Sequence, residues 1–518
     1  MHRRTFLHLA GTSALSTLAA PALLGCATSA PTWTNDPFAL GVAAGDPAPD
    51  GFVLWTRLIS ANGLPKGNIE IAYEIATDET MREIVRRGTA VAEAGYAHSV
   101  HLEIHGLTPG RPYWYRFMSG AATSRIGKAA TLPAPGARVD NLRFAFVSCA
   151  NYEIGYFSAY RHLADEQPDL VLFLGDYIYE YMERRRPTVR LHSDEKEATT
   201  LAGYRNRYAQ YRQDPDLQRL HATVPMLVTW DDHEVDNDYT SEWSSTFADP
   251  VKFAARRAAA YQAFYEHMPL RPGRYDARAH AIRLNDRFAY GDLLEIALTD
   301  PRQYRSRLAC PTPPDRGRGH LETLASCPEL VDPTRSFFGL AQEKWLMDGL
   351  TRTTARWNVI AQSTLMSQWR QRDQNNEINF WTEDWNGYAP SRTRLLQHIH
   401  DARVANPVVI GGDIHSFWAN DLKLDFDNPK SPTVATELVG TSITSVGPNY
   451  ETFTKYLPDN PHVRYFESRR RGYTSVDLTR NRMTTRFRNV SDVHKPDATI
   501  ATLKSFVIED GKTGVVPA

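Results

Sequence analysis

What the 518-residue chain has little of narrows its class before anything it contains. Cysteine is sparse, four in all with no Cys-x-x-Cys pair, so a disulfide-dense scaffold and a paired-thiolate zinc site are both excluded. An excess of one charge is missing too, since 59 Lys and Arg face 60 Asp and Glu. That balance gives no broad attraction for nucleic acid, and no specific nucleic-acid binding is expected; only Arg184-Arg185-Arg186 breaks the evenness, as a solvated loop edge. The one apolar stretch near the N-terminus is too short and too rich in small residues to span a membrane. Internal repeats and low-complexity tracts are lacking as well. What remains, 42% hydrophobic and 23% charged, is an ordinary globular composition with enough length to bury a sizeable core.

Residues 1–30 read as a targeting segment. Arg3-Arg4-Thr5-Phe6-Leu7 resembles a twin-arginine export signal, which names the twin-arginine translocase as a partner during export. Leu23-Leu24-Gly25-Cys26 resembles a lipobox, whose lipidated cysteine would anchor the protein at a membrane surface without spanning it. The expected location is the periplasm, the extracellular space or the cell surface. Cys310 and Cys327 flank a Pro/Gly/Arg-rich loop and could bridge in an oxidising compartment or stay free. Cys149 stands apart from these.

Two architectures follow. Over 36–135 apolar and polar residues alternate, as in Asn68-Ile69-Glu70-Ile71-Ala72-Tyr73-Glu74-Ile75, which predicts half-buried antiparallel strands. The turn and aromatic strand Gly106–Tyr115 resemble the tyrosine-corner region of fibronectin-type sandwiches, so a small β-sandwich domain is expected here. Over 141–518 short apolar runs alternate with long amphipathic stretches, the pattern of an α/β core with flanking helices, and a strand at Leu294–Leu298 and helices over 251–267 and 340–350 are among those expected. The stretch beyond Asp492 could pack on that core or cover the mouth of a site.

The chemistry follows the predicted strands. Leu142–Val147 runs into Ser148-Cys149-Ala150-Asn151, and Leu170–Leu174 into Gly175-Asp176-Tyr177-Ile178-Tyr179. Met226–Thr229 leads to Trp230-Asp231-Asp232-His233-Glu234-Val235-Asp236-Asn237-Asp238, and Pro407–Ile410 to Gly411-Gly412-Asp413-Ile414-His415. Each segment alone fits a turn, a helix cap or an acidic loop. Together, in one order, four strands delivering ligand-type residues at their carboxyl ends point to one convergent metal site.

That order resembles the calcineurin-like metallophosphoesterases, with Ser148-Cys149 replacing their first aspartate motif and Asp232 and Asp413 replacing Asn and His. With Trp230–Glu234 and Gly412–His415 the chain is similar to the alkaline phosphatase D (PhoD) family. The likeness extends to Gly41–Pro47, Leu54–Leu58, Tyr261–Leu270, Arg302–Arg305 and Asp384–Tyr388. The resemblance implies a metallophosphoesterase-like layered β-sheet core, Fe³⁺ with Ca²⁺, and phosphate esters as substrates. It assigns Cys149, Asp176, Tyr179 and His415 to iron, since thiolate and phenolate favour the trivalent state. Asp176, Asp232 and Asp413 would hold a calcium as an oxygen-rich set, and Asp231, Asn237 and Asp238 are candidates for a second. The expected reaction is in-line attack on phosphorus by a metal-activated hydroxide. Arg302 is the candidate phosphate clamp, His233 the candidate proton donor or ligand-orienting group, and Asn151 a phosphate contact or Asx-turn residue. Two rivals stand beside hydrolysis of monoesters or diesters: a dedicated phosphodiesterase or phospholipase D-like enzyme, and an inactive surface binding protein.

Overall fold

The computed structural model describes residues 32–194, 196–245, 247–311 and 318–518, so the twin-arginine and lipobox segment lies outside the described residues. Among them, two large sheets pack face to face. The first, of ten strands, is centred on Asn141–Val147, Leu170–Leu174 and Met226–Thr229, which run parallel. The second, of seven, is centred on Leu294–Leu298, Trp357–Ala361, Pro407–Gly411 and Thr433–Val439, also parallel.

Their sequences explain the layering, because a strand covered on both faces reads as a nearly continuous apolar run. Phe144, Phe146, Leu170, Leu172 and Leu174 point inward and meet Leu294, Ile296, Val359, Val408 and Ile410 of the other sheet. Their neighbours Ala145, Val147, Val171 and Phe173 face outward, under the helices Ser158–Glu166, Leu201–Arg212, Pro215–Thr223 and Pro250–His267. Ala297, Ile360 and Val409 are covered by Leu340–Arg352 and Ala389–Asp401. The core is therefore helix, sheet, sheet, helix. Asp214-Pro215 and Asp249-Pro250 start two of the helices, each aspartate accepting two backbone N–H groups that would otherwise lack partners.

Toward the N-terminus, Val42–Ala48, Gly51–Arg57 and Ser99–Ile104 pack on a five-stranded antiparallel sheet built on Ile69–Ala76, Ile84–Ala92 and Pro112–Ser119. The Tyr113 hydroxyl closes the preceding turn, donating to the Thr108 carbonyl at 3.2 Å and accepting its N–H at 2.9 Å. The first three strands also extend the ten-stranded sheet, through a parallel bridge of Gly45 with Met226. At the other edge Gly472–Thr479, Arg482–Val490 and Ile500–Glu509 are added in antiparallel pairing, so the stretch beyond Asp492 extends the sheet. Cys310 and Cys327 form a disulfide. No helix among the described residues is long and apolar enough to cross a membrane.

Candidate metal centre

The parallel strands of both sheets end at one edge, and the chain turns there in a costly conformation. Cys149, Asp176, Asp413 and His415 take φ of 61°, 56°, 62° and 53°. Each left-handed non-glycine residue costs roughly 1–2 kcal/mol, and such strain persists only where the surroundings over-determine it. Here they do. The Cys149 N–H donates to the Gly175 carbonyl at 3.1 Å and the Ala150 N–H to the Asp176 carbonyl at 3.0 Å. Gly175, at φ 109°, lies so close to the next strand end that a β-carbon would sit 2.4 Å from Asp231 Cβ. A β-carbon on Gly412 would likewise meet Ser148 Oγ at 2.4 Å, so the two sheets touch where their site loops leave them.

One ligand-type atom from each of Cys149, Asp176 and His415 falls within 4.8 Å of the others, and the same holds for Asp176, Asp232 and His233, so Asp176 is shared. The Tyr179 hydroxyl donates to Asp176 Oδ2 at 2.8 Å, lies 3.2 Å from His415 Nε2 and accepts from Ser445 Oγ at 2.6 Å. The Val446 carbonyl, 2.9 Å from His415 Nδ1, accepts the hydrogen bond of a protonated Nδ1, which leaves Nε2 as a lone-pair donor toward Cys149 and Asp176. The Asp238 N–H donates to Asp232 Oδ2 at 2.6 Å, and Thr364 Oγ1 donates to Asp413 Oδ2 at 2.6 Å. Asp176 Oδ1, Asp231 Oδ2 and Asp232 Oδ1 are buried without a hydrogen-bond partner. Three orphaned carboxylate oxygens in one cluster are what a cation would satisfy.

Electrostatics agree. Burial, then the Asp232 and Asp231 carboxylates, outweigh His233 and raise Asp176 well above the ordinary range. Asp413 rises for similar reasons, although its surface is partly exposed to the cleft described below. Burial also pushes up the Cys149 thiol and the Tyr179 phenol, with Asp176 adding to both, and lowers His415 to about 3. Burial acts against Asp232 as well, yet His233 and Arg302 hold it below the usual carboxylate value. The protein alone cannot keep this set ionised. Added positive charge would, so the donors fit a metal.

The other candidates have defined neighbours. Arg302, with its side chain fully buried, donates from Nε to Asp231 Oδ1 at 2.6 Å, sits 2.7 Å from Glu383 through Nη1, and leaves Nη2 3.7 Å from Asp232. His233 Nδ1 is 2.7 Å from Glu180 Oε2, and its ring lies 4.2 Å from that of Tyr179. Burial disfavours the imidazolium, but Glu180, Asp232 and Asp176 raise it well above its ordinary value. Asn151 forms an Asx turn, its Oδ1 accepting the Glu153 N–H at 3.0 Å, while its Nδ2 reaches Tyr181 at 3.4 Å. The Asn237 N–H donates to Glu180 Oε1 at 3.0 Å, and Asp238 Oδ2 accepts from the Gly319 N–H at 2.9 Å.

Several residues escaped the sequence reading. Glu234 accepts the backbone N–H of Tyr177 at 2.6 Å and of Asp231 at 3.0 Å, tying two strand ends together. Its place in the acidic segment after Met226–Thr229 was a usable signal. Glu383, between Arg302 and Arg305, directly precedes the family-like segment Asp384–Tyr388. Thr364 and Ser445 carry no signal, since isolated hydroxyl residues occur throughout the chain. A further acidic group, Glu180, Glu197 and Asp236, is matched by Arg256, at 4.0, 2.7 and 3.2 Å respectively. Asp238, Thr364, Glu383, Asp413 and His415 line a cleft of about 370 Å³ that opens the site to solvent.

Comparison with known proteins gives consistent matches. A family model described as PhoD-like phosphatase matches residues 144–487, and one described as its N-terminal domain matches 25–133. The chain is 41% identical to alkaline phosphatase D of Bacillus subtilis (strain 168), over 94% of this chain and 83% of that protein. A solved structure described as PhoD superposes with a TM-score of 0.88 at 40% identity, over 94% of this chain and 93% of that one.

Proposed function

The chain belongs to the PhoD-like phosphatase family, and from that premise we propose that this phosphoric ester hydrolase is exported and works on monoesters, diesters or both through iron and calcium held at the joined strand ends. The observation that carries the reading is the sharing of Asp176 between two ligand groups, with buried carboxylate oxygens left unpaired in both.

Cys149, Asp176, Tyr179 and His415 would hold Fe³⁺, and Asp176, Asp232 and Asp413 a Ca²⁺; Asp231, Asn237 and Asp238 are the candidates for a second Ca²⁺. When bound, such cations lower the pKa of water and neutralise charge gathering on the phosphoryl oxygens. The chain's own groups do the rest. Glu180 takes one nitrogen of His233, which leaves Nε2 to give a proton to the departing oxygen. Arg302 uses Nε and Nη1 to fix Asp231 and Glu383, so Nη2, which has no hydrogen-bond partner and lies 3.7 Å from Asp232, would be the nitrogen that grips phosphate. Asn151, held by its own turn with Nδ2 3.4 Å from the Tyr181 hydroxyl, would be a further phosphate contact. Export is supported by Arg3-Arg4 with Cys26 in the sequence, and by the Cys310–Cys327 bridge, which suits an oxidising compartment.

Elemental analysis of the purified exported protein, with its visible spectrum, tests the metals. A ferric–tyrosinate bond absorbs visible light, so coloured protein that bleaches on reduction is expected. Colourless, active protein holding only zinc would overturn the assignment of Tyr179. Initial rates on nitrophenyl phosphate and bis(nitrophenyl) phosphate give the balance between monoester and diester.

A further inference from the structure

Beside the candidate ligands, the cleft has a second wall of a different character. Asp413, His415 and Thr364 are part of its polar lining, whereas Leu321, Trp369, Trp381, Ile414 and Phe453 give it an apolar one. Trp381 and Phe453 are half-buried, and Leu321 is 44% exposed. An apolar surface left open to water inside a polar site has a cost unless a ligand covers it.

The wall is built onto the site. Leu321 and Trp381 are paired across two short antiparallel strands, Leu321–Glu322 and Ile378–Trp381. Gly319 joins them to the carboxylates: its N–H donates to Asp238 Oδ2 at 2.9 Å, and a β-carbon there would meet the Trp381 indole at 2.6 Å. Trp381 is thereby held beside Asp238. In the same apolar lining Phe453 stacks on Trp369, with centroids 5.7 Å apart and planes 23° apart. Among the described residues lining the cleft none is lysine or arginine, whereas Asp238, Glu383, Asp384 and Asp413 are acidic. A substituent bearing further negative charge meets no counter-charge in such a cleft.

We propose that this wall is a subsite for the organic substituent of the phosphate ester, selecting a planar or apolar group without further anionic charge over a short polyol or a polyphosphate. The inference rests on the phosphoesterase reading of the adjoining centre, with phosphorus at the Asp232–Asp413–His415 side and the substituent lying on Trp381.

Isothermal titration of the metal-loaded, full-length protein with methylphosphonate, phenylphosphonate and 4-carboxyphenylphosphonate tests it without turnover. Phenylphosphonate is expected to bind at least tenfold tighter than methylphosphonate, about 1.4 kcal/mol, and the carboxyphenyl compound more weakly than phenylphosphonate. In Trp381→Ala the phenyl-to-methyl ratio falls to within about twofold of one. Trp381→Phe keeps most of it, and Val516→Ala, at the far edge of the ten-stranded sheet, keeps all of it. Hydrolysis of phenyl and methyl nitrophenyl diesters, which share a leaving group, should follow the same ratio. Equal affinities in the wild-type protein, a ratio unmoved by Trp381→Ala, or tighter binding of the carboxyphenyl compound overturns the subsite. If hydrolysis of nitrophenyl phosphate and bound iron persist in that case, the reading of the centre stands. If no phosphonate binds and no iron is held, the centre and the subsite fall together.

Discussion

Replacing Glu234 tests the geometry of the site without touching a proposed ligand. Its carboxylate accepts the N–H of Tyr177, next to Asp176, and the N–H of Asp231, next to Asp232. In Glu234→Ala both donors are orphaned in a buried setting, at about 1–3 kcal/mol each. Removing a buried carboxylate that sits close to Asp231 returns part of this. A net loss of about 3 kcal/mol is expected, and roughly half of that for Glu234→Gln, which keeps one acceptor. Because both donors lie at strand ends, the loss should appear in the site as well. A shift worth about 1.4 kcal/mol in the placing of Asp176 against Asp231 is a tenfold fall in metal affinity or kcat/KM. Denaturant unfolding, elemental content and kcat/KM on nitrophenyl phosphate, all on the same preparations, measure it. An alanine variant with wild-type midpoint, metal content and kcat/KM would refute the argument that Glu234 sets the strand ends.

Three further outcomes are expected. Cys149→Ala should lower iron content and rate together, and full iron occupancy in that variant would show that the thiolate is not a ligand. Cys310→Ser with Cys327→Ser removes a cross-link spanning 17 residues, worth up to about 3 kcal/mol; unfolding midpoints should fall, and so should the phenyl selectivity carried by Gly319 and Leu321, with unchanged values speaking against that link. His462 is buried, His101 is half-buried with its Nε2 closed off from solvent, and desolvation lowers both to about 4 from 6.5. The unfolded chain therefore binds protons between pH 6.5 and 4 that the folded chain refuses, so stability is full above about 6.5 and falls as pH drops, by roughly 3 kcal/mol per histidine. His101→Gln should flatten the decline in denaturant midpoint over that range, and an unaltered slope would refute it.

Much of this was legible in the chain. The predicted strands Leu142–Val147, Leu170–Leu174, Met226–Thr229, Leu294–Leu298 and Pro407–Ile410 occur within a residue of their expected ends, because strands buried on both faces must be apolar throughout. The helices expected over 251–267 and 340–350 are there, each slightly longer. The join between the N-terminal strands and the ten-stranded sheet was not legible: it rests on backbone bonds at Gly45 and Met226, which leave no mark on side-chain pattern.

By itself the sequence determined which residue types stand after which strands, since the apolar period ends where thiol, carboxylate, phenol and imidazole begin. It also determined the family, through ordered motifs spread along nearly the whole chain. Only the tertiary structure decided that two separate sheets bring those ends to one edge, that Arg302 is engaged by Asp231 and Glu383, and that Glu234, Ser445 and Trp381 complete the site. The reason is range. Periodicity reports what a residue's own strand or helix buries, whereas these contacts join segments tens to hundreds of residues apart and depend on how the layers stack.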